Sequence, residues 1–309
     1  MNALAVPESH EMAISERQAE LIRAGVSANT LKAYGLALGK LAAWVDTIKR
    51  ADNGEDREPL DDAALAAYLT HLHDSGKAPS TIAQVVAAVK WRGLGTAVGQ
   101  RTTKLLAGIR RDGRERGRGQ VDGLTRSDME RVCSFAEASK TLAGLRDSAL
   151  IRLMSDCLLR ISEAVAVNVE DLDKVLTVHT SKTDQEGEGA ALYVGAPTHK
   201  AIRKYCRAGG IEEGALFRRV RFRKHITSDR LSVGGARNAI KRWAAAAEVE
   251  GFISGHSLRV GSAVSLAQAG ASVVDMQTAG RWSDPKMPAH YAKAELAERG
   301  AVARFFYGK

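Results

Sequence analysis

Apolar residues recur at spacings of three and four along most of this chain, and this period constrains its fold more than any other feature. Such spacing places side chains on one face of an α-helix. One series begins with Leu31, Tyr34 and Leu38, and others follow Asp61 and Pro79. Only 5% of the residues are aromatic, which disfavours a β-sandwich. The chain is therefore predicted to be mainly α-helical.

One stretch, residues 171–194, departs from the helical period. Val175, Thr177 and His179 alternate in the manner of a β-strand, a polar segment with glycines follows, and an apolar run then returns. This pattern predicts a small antiparallel β-hairpin. Lys182 would lie where the first strand gives way to the turn.

The length of 309 residues allows two domains of ordinary size, each with its own core. Residues 1–20 lack a pattern and are predicted to form a flexible arm. A helical bundle is predicted for residues 21–110, a basic linker for 111–122, and a second, mostly helical domain for 123–309. The linker can be read as a solvated connector or as a segment that follows a phosphate backbone. Residues 294–307 are amphipathic and predict a terminal helix that docks on a protein surface.

The formal net charge of +9 is expected of a protein that meets a polyanion such as a nucleic acid, although many basic proteins bind none. Cations are interleaved with apolar residues at 217–224, and this alternation would place several of the cations on one side, as a surface that contacts phosphate. The predicted helix at Ser232–Ala247 carries further cations and has the dimensions to enter the major groove of DNA. For each group, a solvated protein surface remains the alternative. The DNA-binding candidates are Lys32, Gln84, Arg218, Arg221, Arg237, Lys241 and Arg242.

The three cysteines, Cys133, Cys157 and Cys206, show no paired spacing and are expected to be free thiols of a cytoplasmic protein. The chain has no apolar run of roughly 18 residues, so no membrane span is expected. No ligand spacing for a metal and no nucleotide-binding loop is evident, so no cofactor is expected.

Four side chains near the C-terminus suit the chemistry of phosphoryl transfer. His256 and Arg259 lie three residues apart, which places them on one helical face, and Trp282 and Tyr291 follow. A tyrosine hydroxyl can be the nucleophile, an arginine can offset charge on phosphate oxygens, and a histidine can move a proton near neutral pH. Each signal taken singly is more typical of surface or core residues, so the hypothesis depends on the whole set.

The set resembles the tyrosine recombinases of the phage-integrase superfamily, and among them the Cre-like members. The resemblance is carried by GHSLRVG at 255–261, AQAGASV at 267–273, AGRW at 279–282, Tyr291, CLLRISEAVAV at 157–167 and TSKT at 180–183. Val260 stands where many integrases have a second histidine, which favours the Cre-like branch.

The resemblance implies that Tyr291 attacks a DNA phosphate and forms a 3′-phosphotyrosyl intermediate, without metal or ATP. Arg160 and Arg259 would bind the nonbridging oxygens. The implied catalytic set is Arg160, Glu163, Lys182, His256, Arg259, Trp282 and Tyr291.

The remaining members of this set have supporting roles. Lys182 would act as general acid on the leaving 5′-oxygen, and His256 would move the tyrosine proton. Trp282 would donate its indole N–H to the phosphate. Glu163 would orient either Arg160 or His256.

The family resemblance also implies an assembly. Residues 21–110 would be a core-binding domain, and the helix at 294–307 would be donated to a neighbouring protomer of a homotetramer. The tetramer would bind an inverted-repeat DNA target and exchange strands through a Holliday junction. Two alternatives remain open. One is a related enzyme, a telomere resolvase or type IB topoisomerase, and the other is a non-catalytic helical DNA-binding protein, which should have lost catalytic positions.

Overall fold

The computed structural model describes residues 16–51, 60–116, 121–179, 189–221, 225–291, 293 and 305–308. The chain divides into two compact units, Met1–Gly119 and Gln120–Lys309. The described residues are mainly helical, with two small antiparallel sheets of two strands each, so the predicted fold class is confirmed. No helix in these ranges is long and apolar enough to cross a lipid bilayer.

The first unit is a helical bundle around one apolar core. Its helices are α1 (Glu16–Ala24), α2 (Ala28–Ala51), α3 (Asp62–Asp74), α4 (Pro79–Trp91) and α5 (Gln100–Asp112). Leu41, Leu65 and Ile82 lie at its centre, fully buried. Asp62, at the start of α3, accepts hydrogen bonds from the backbone N–H groups of Gly99 and Thr102. This carboxylate therefore caps α5 and ties it to α3.

Two helices cross boundaries that were predicted for this unit. The predicted arm, residues 1–20, ends in helix, because α1 begins at Glu16. This helix has no buried face among its described side chains and carries an exposed Arg17–Glu20 ion pair. Its sequence therefore lacks the apolar period from which the other helices were predicted. The predicted linker begins later than residue 111, since α5 continues to Asp112. Residues 1–15 and 117–120 lie outside the described ranges.

The second unit is built around a nearly buried helix, α7. Its helices are α6 (Arg126–Ala138), α7 (Leu142–Asp156), α8 (Ile161–Ala166), α9 (Ala196–Gly209), α10 (Val233–Ala246), α11 (Ser257–Gln268), α12 (Val273–Gly280) and α13 (Lys286–Tyr291). Helices α6, α9 and α11 pack on α7, and Leu150 and Leu153 are completely buried there. Thr125 is the N-cap of α6 and forms a capping box with Asp128.

The predicted hairpin is confirmed in its strands. Strand β1 (Val175–Val178) pairs antiparallel with β2 (Ala190–Tyr193). In β1, Leu176 and Val178 are buried, whereas Val175 and Thr177, two of the residues whose alternation predicted the strand, are exposed. A second hairpin, β3 (Arg218–Arg221) with β4 (His225–Arg230), was not predicted. Strand β4 is largely polar and lacks the apolar alternation that marks a half-buried strand, so no partner for β3 was evident from the sequence.

All three cysteines are free thiols. Burial raises the pKa of both Cys133 and Cys157 to about 12. These two side chains are therefore protonated packing groups rather than nucleophiles.

Candidate active site

His256 and Tyr291 meet at the surface of the second unit. His256 occupies the N-cap position of α11 and Tyr291 ends α13, and the imidazole Nε2 lies 3.3 Å from the tyrosine Oη. His256 keeps an exposed edge, but packing of the rest of the ring and the charges of Arg259 and Arg160 lower its pKa below 6.5. Burial raises the pKa of Tyr291 above 10.0, opposed by Arg259. The pair therefore consists of a protonated phenol beside a neutral imidazole at neutral pH.

Arg259 lies beneath this pair and is only 1% exposed. Its guanidinium donates hydrogen bonds to the carbonyl oxygens of Leu158 and Gly280. The ring of Trp282 covers it, with the guanidinium carbon 4.4 Å from the ring centroid. Burial, with the nearby charge of Arg160, lowers the pKa of Arg259 to about 10, which leaves it a cation at neutral pH.

Arg160 and Glu163 form a second anchored pair at the start of α8. The Arg160 guanidinium donates to Glu163 Oε1 at 2.7 Å, and the Arg160 backbone N–H donates to Glu163 Oε2 at 3.0 Å. Either Arg160 or His256 was expected as the partner of this carboxylate, and the described contacts include one with Arg160 but none with His256. The Arg160 side chain is 23% exposed, so part of its guanidinium faces solvent.

Sequence reasoning missed Arg281. It donates to Glu163 Oε2 at 2.7 Å, so Glu163 lies between two guanidinium groups. The position was visible in the AGRW motif at 279–282, but a spacing of 118 residues separates the two partners. Only folding brings them together.

Trp282 packs against two members of the site. Its ring centroid lies 5.9 Å from that of Tyr291, in addition to its contact with Arg259. Gly280 makes this packing possible, because a Cβ there would lie 2.0 Å from the Trp282 ring. The expected role of the indole N–H as a phosphate donor stays a prediction.

Lys182 lies outside the described residues. The strands on either side are described, and Val178 pairs with Ala190 at the end of the hairpin next to the connecting segment. The assignment of Lys182 as general acid stays a prediction.

The DNA-binding candidates of helix α10 differ in their surroundings. Arg237 and Lys241 are exposed, and Lys241 lies 5.5 Å from the Phe252 ring. Arg242 instead binds the buried carboxylate of Asp147 at 2.7 Å. Its guanidinium therefore has a structural partner already.

Arg218 is a weaker candidate than the sequence suggested. Its guanidinium donates to the backbone carbonyls of Ala215 and Glu213, which fixes the loop before β3. Arg219 and Arg221 are the exposed residues of this strand. The alternation that suggested a cationic face therefore places Arg219, rather than Arg218, beside Arg221.

Two candidates belong to the first unit. Lys32 is exposed on α2, and Gln84 is exposed on α4. Both are accessible, and their contact with DNA stays a prediction.

The charges of the site favour an anionic ligand. Arg160, Arg259 and Arg281 are balanced among the described residues by the carboxylate of Glu163. A surplus of positive charge next to a hydroxyl nucleophile and a neutral base suits attack on a phosphodiester. Within the same ranges, no group of three His, Cys, Asp or Glu side chains is arranged to hold a metal ion.

Comparisons with known proteins agree with this chemistry. The model of the phage integrase family matches residues 123–298. An integrase/recombinase XerD homologue from Selenomonas ruminantium is 27% identical over 282 residues, which cover 85% of this chain and 81% of the relative. The Cre recombinase of Escherichia phage P1 is 25% identical over 282 residues and covers 80% of each protein.

Two solved structures share the fold. The XerH site-specific recombinase bound to a palindromic difH substrate matches with a TM-score of 0.68 and 14% identity, over 96% of this chain and 86% of XerH. A lambda integrase dimer bound to a core site matches with a TM-score of 0.60 and 21% identity, over 89% of this chain and 92% of the integrase chain.

Proposed function

We propose, from the premise that this chain belongs to the phage integrase family and is a tyrosine-type site-specific recombinase, that Tyr291 cleaves DNA through a covalent 3′-phosphotyrosyl intermediate. The observation that carries this proposal is the 3.3 Å distance between His256 Nε2 and Tyr291 Oη, beside the buried Arg259. A hydroxyl, a base and a fixed cation are the minimum that a phosphate transesterification needs.

In the cleavage step, Tyr291 Oη attacks the scissile phosphorus. The bond from phosphorus to Oη forms while the bond to the 5′-oxygen breaks, and His256 Nε2 accepts the phenolic proton. Lys182 gives a proton to the leaving 5′-oxygen, which departs as a hydroxyl. Rejoining reverses these events with the 5′-hydroxyl of an exchanged strand. Because one phosphodiester replaces another, the cycle needs no ATP.

Arg160 and Arg259 would offset the charge on the nonbridging oxygens in different ways. Arg160 is partly exposed and can reach a phosphate directly. Arg259 donates to two backbone carbonyls, so a direct grip on phosphate would require it to exchange one of them. In its present position Arg259 places a positive charge next to the reacting groups, and its guanidinium packs against the Trp282 ring.

The DNA partner and the assembly are part of the same proposal. The net charge of +9 and the exposed cations of α10 favour duplex DNA as the ligand. A lambda integrase tetramer bound to a Holliday junction shares the fold, with a TM-score of 0.58 and 22% identity. We infer a homotetramer that acts on an inverted-repeat site and passes through such a junction. The terminal segment 294–307, which lies mostly outside the described residues, would link neighbouring protomers.

A covalent-trapping experiment tests the chemistry without knowledge of the target. The purified chain is incubated with sheared genomic DNA from its source organism in the presence of a chelator, then denatured in detergent. Tyr291→Phe is compared with Tyr193→Phe, since Tyr193 is a tyrosine of β2 that is 77% exposed.

We expect protein–DNA adducts from the wild type and Tyr193→Phe, and none from Tyr291→Phe. Adducts from Tyr291→Phe would overturn the assignment of the nucleophile. Tight DNA binding without adducts from the wild type would favour the non-catalytic alternative. Sequencing of the trapped fragments identifies the target.

A further inference from the structure

We propose that Arg281 is a positioning residue for DNA cleavage, which acts through Glu163 to hold Arg160 in place. The inference rests on the proposed function and adds a residue to its machinery. It is carried by the backbone conformation of Arg281, by the burial of its guanidinium, and by the way in which Glu163 is shared.

The backbone of Arg281 adopts a conformation that favours glycine. Arg281 is the C-cap of α12, with φ 53° and ψ 48°, in the left-handed region. A residue with a Cβ is strained there, whereas glycine is not. The helix end needs only the backbone of this residue, whose N–H donates to the Thr278 carbonyl. The arginine side chain therefore requires an explanation of its own, and strain of this kind is often found at functional sites.

The guanidinium of Arg281 is also held in unfavourable surroundings. The side chain is 13% exposed, and its Nε and Nη1 atoms are buried without a hydrogen-bond partner in the part of the chain that the structure describes. Burial lowers its pKa, opposed by the charge of Glu163. A buried cation with unpaired donors is costly to the folded state. Its charged contact is the 2.7 Å bond to Glu163 Oε2, so this bond is what the residue provides.

Glu163 transmits that contact to Arg160. The carboxylate is 4% exposed, and both of its oxygens are engaged: Oε1 by the Arg160 guanidinium, and Oε2 by Arg281 and by the Arg160 backbone N–H. A carboxylate bound on both oxygens has one orientation. Removal of Arg281 would leave Oε2 with the 3.0 Å bond from the Arg160 backbone N–H as its described contact. The carboxylate, and the Arg160 guanidinium bound to it, would then be held less firmly.

The neighbours of Arg281 touch the other arginine of the site. The Gly280 carbonyl accepts a hydrogen bond from Arg259, and the Trp282 ring covers the Arg259 guanidinium. Three consecutive residues therefore contact Arg259 directly and Arg160 through Glu163. Arg281 is the member of this tripeptide that reaches the Arg160 side of the site.

The substitution Arg281→Gly isolates the guanidinium from the backbone, because glycine relieves the strain at this φ. The measurement uses a duplex that contains the sequence trapped by the wild-type protein. Three quantities are compared: the single-turnover rate of covalent-complex formation, the Kd for the duplex, and the melting temperature.

We expect cleavage by Arg281→Gly to slow by roughly tenfold to a hundredfold, as for a misplaced catalytic group. The Kd should be unchanged, and the melting temperature should not fall, because glycine relieves the backbone strain and removes a buried cation with unpaired donors. Arg281→Lys, which can keep one charged bond to Glu163, should recover part of the rate. Cleavage at the wild-type rate, or equal losses of rate and DNA affinity, would overturn the proposal.

A double-mutant cycle with Glu163→Gln tests the route of the effect. If Arg281 acts through Glu163, Arg281→Gly should add little to the loss in the Glu163→Gln background. The same fold loss in both backgrounds would mean that Arg281 acts independently, and would overturn the proposed route. Failure of the wild type itself to form an adduct would instead overturn the proposed function, and the two failures are therefore distinguishable.

Discussion

His256 and Tyr291 are 35 residues apart in sequence, yet the Nε2 atom of one lies 3.3 Å from the Oη atom of the other. The turn into α11 and the end of α13 create this pair. Its electrostatics set the direction of proton transfer, because the imidazole is held neutral and the phenol is held protonated. The imidazole Nε2 is therefore free to accept the proton that the phenol still carries.

The first prediction concerns pH. The pKa of His256 is lowered from 6.5, so the imidazole is neutral above that value and becomes protonated only at a lower pH. The rate of adduct formation should therefore fall as the pH drops below 6.5 and be level from there to neutrality. His256→Gln should lower the rate at neutral pH by about a hundredfold. It should also remove the fall of the rate at low pH, which is the acidic limb of the pH–rate profile.

His290→Gln is the matched control for this prediction. The His290 ring also lies against Tyr291, with 5.9 Å between centroids. The control should keep both the rate and the acidic limb. If His290→Gln rather than His256→Gln removes the limb, the base has been assigned to the wrong histidine.

The second prediction concerns Gly280. Gly280→Ala would place a methyl group 2.0 Å from the Trp282 ring, which must then leave its position over Arg259. We expect a loss of stability of about 1–3 kcal/mol from overpacking, with slower cleavage and altered tryptophan fluorescence. In Gly108→Ala, on α5, the new Cβ meets no atom within 4 Å, and stability should rise by about 0.5–1 kcal/mol. Unchanged fluorescence in Gly280→Ala would contradict the packing described.

The third prediction concerns the buried Asp147 carboxylate, which anchors α10. It accepts hydrogen bonds from Arg146, Arg242 and the Trp243 indole. Asp147→Asn should cost about 3–5 kcal/mol in urea unfolding, because it leaves the buried Arg146 cation without its counterion. Arg242→Ala should cost about 0–1 kcal/mol, since Arg242 is largely exposed. Equal losses for the two variants would show that the buried pair has no special weight.

The fourth prediction concerns DNA recognition by α10. Arg237→Ala should weaken binding to the target by about 1–3 kcal/mol, with a smaller loss on unrelated DNA, if the exposed guanidinium reads a base. Arg242→Ala should have a smaller effect, because its guanidinium is held by Asp147. Binding isotherms on both DNAs provide the measurement. A uniform loss across sequences would reassign Arg237 as a phosphate contact.

Local sequence was sufficient for much of the fold. The helical period predicted α2 from the spacing of Leu31, Tyr34 and Leu38. The start of α6 is set by the capping box between Thr125 and Asp128. These features depend on residues three or four positions apart, and their physics is contained in one turn of helix. The hairpin β3–β4 was not predicted because β4 has no apolar alternation, and only its pairing with β3 defines it as a strand.

The site was only partly accessible to sequence reasoning. The motifs named the residues, and the resemblance assigned them roles. Neither indicated that Arg259 would donate to two backbone carbonyls. Neither indicated that the Arg218 guanidinium would donate to carbonyl oxygens of the loop before β3. Those bonds depend on where carbonyl groups lie after folding, which no spacing in the sequence records.

The sequence by itself determined that this chain is a mainly helical tyrosine recombinase, since helix periodicity and motif chemistry are properties of short segments. The tertiary structure alone decided which charges share a partner. Arg281 and Glu163 meet across 118 residues because the end of α12 packs beside α8. Because the Arg281 side chain is largely buried, its cation depends on the carboxylate that folding brings to it rather than on water.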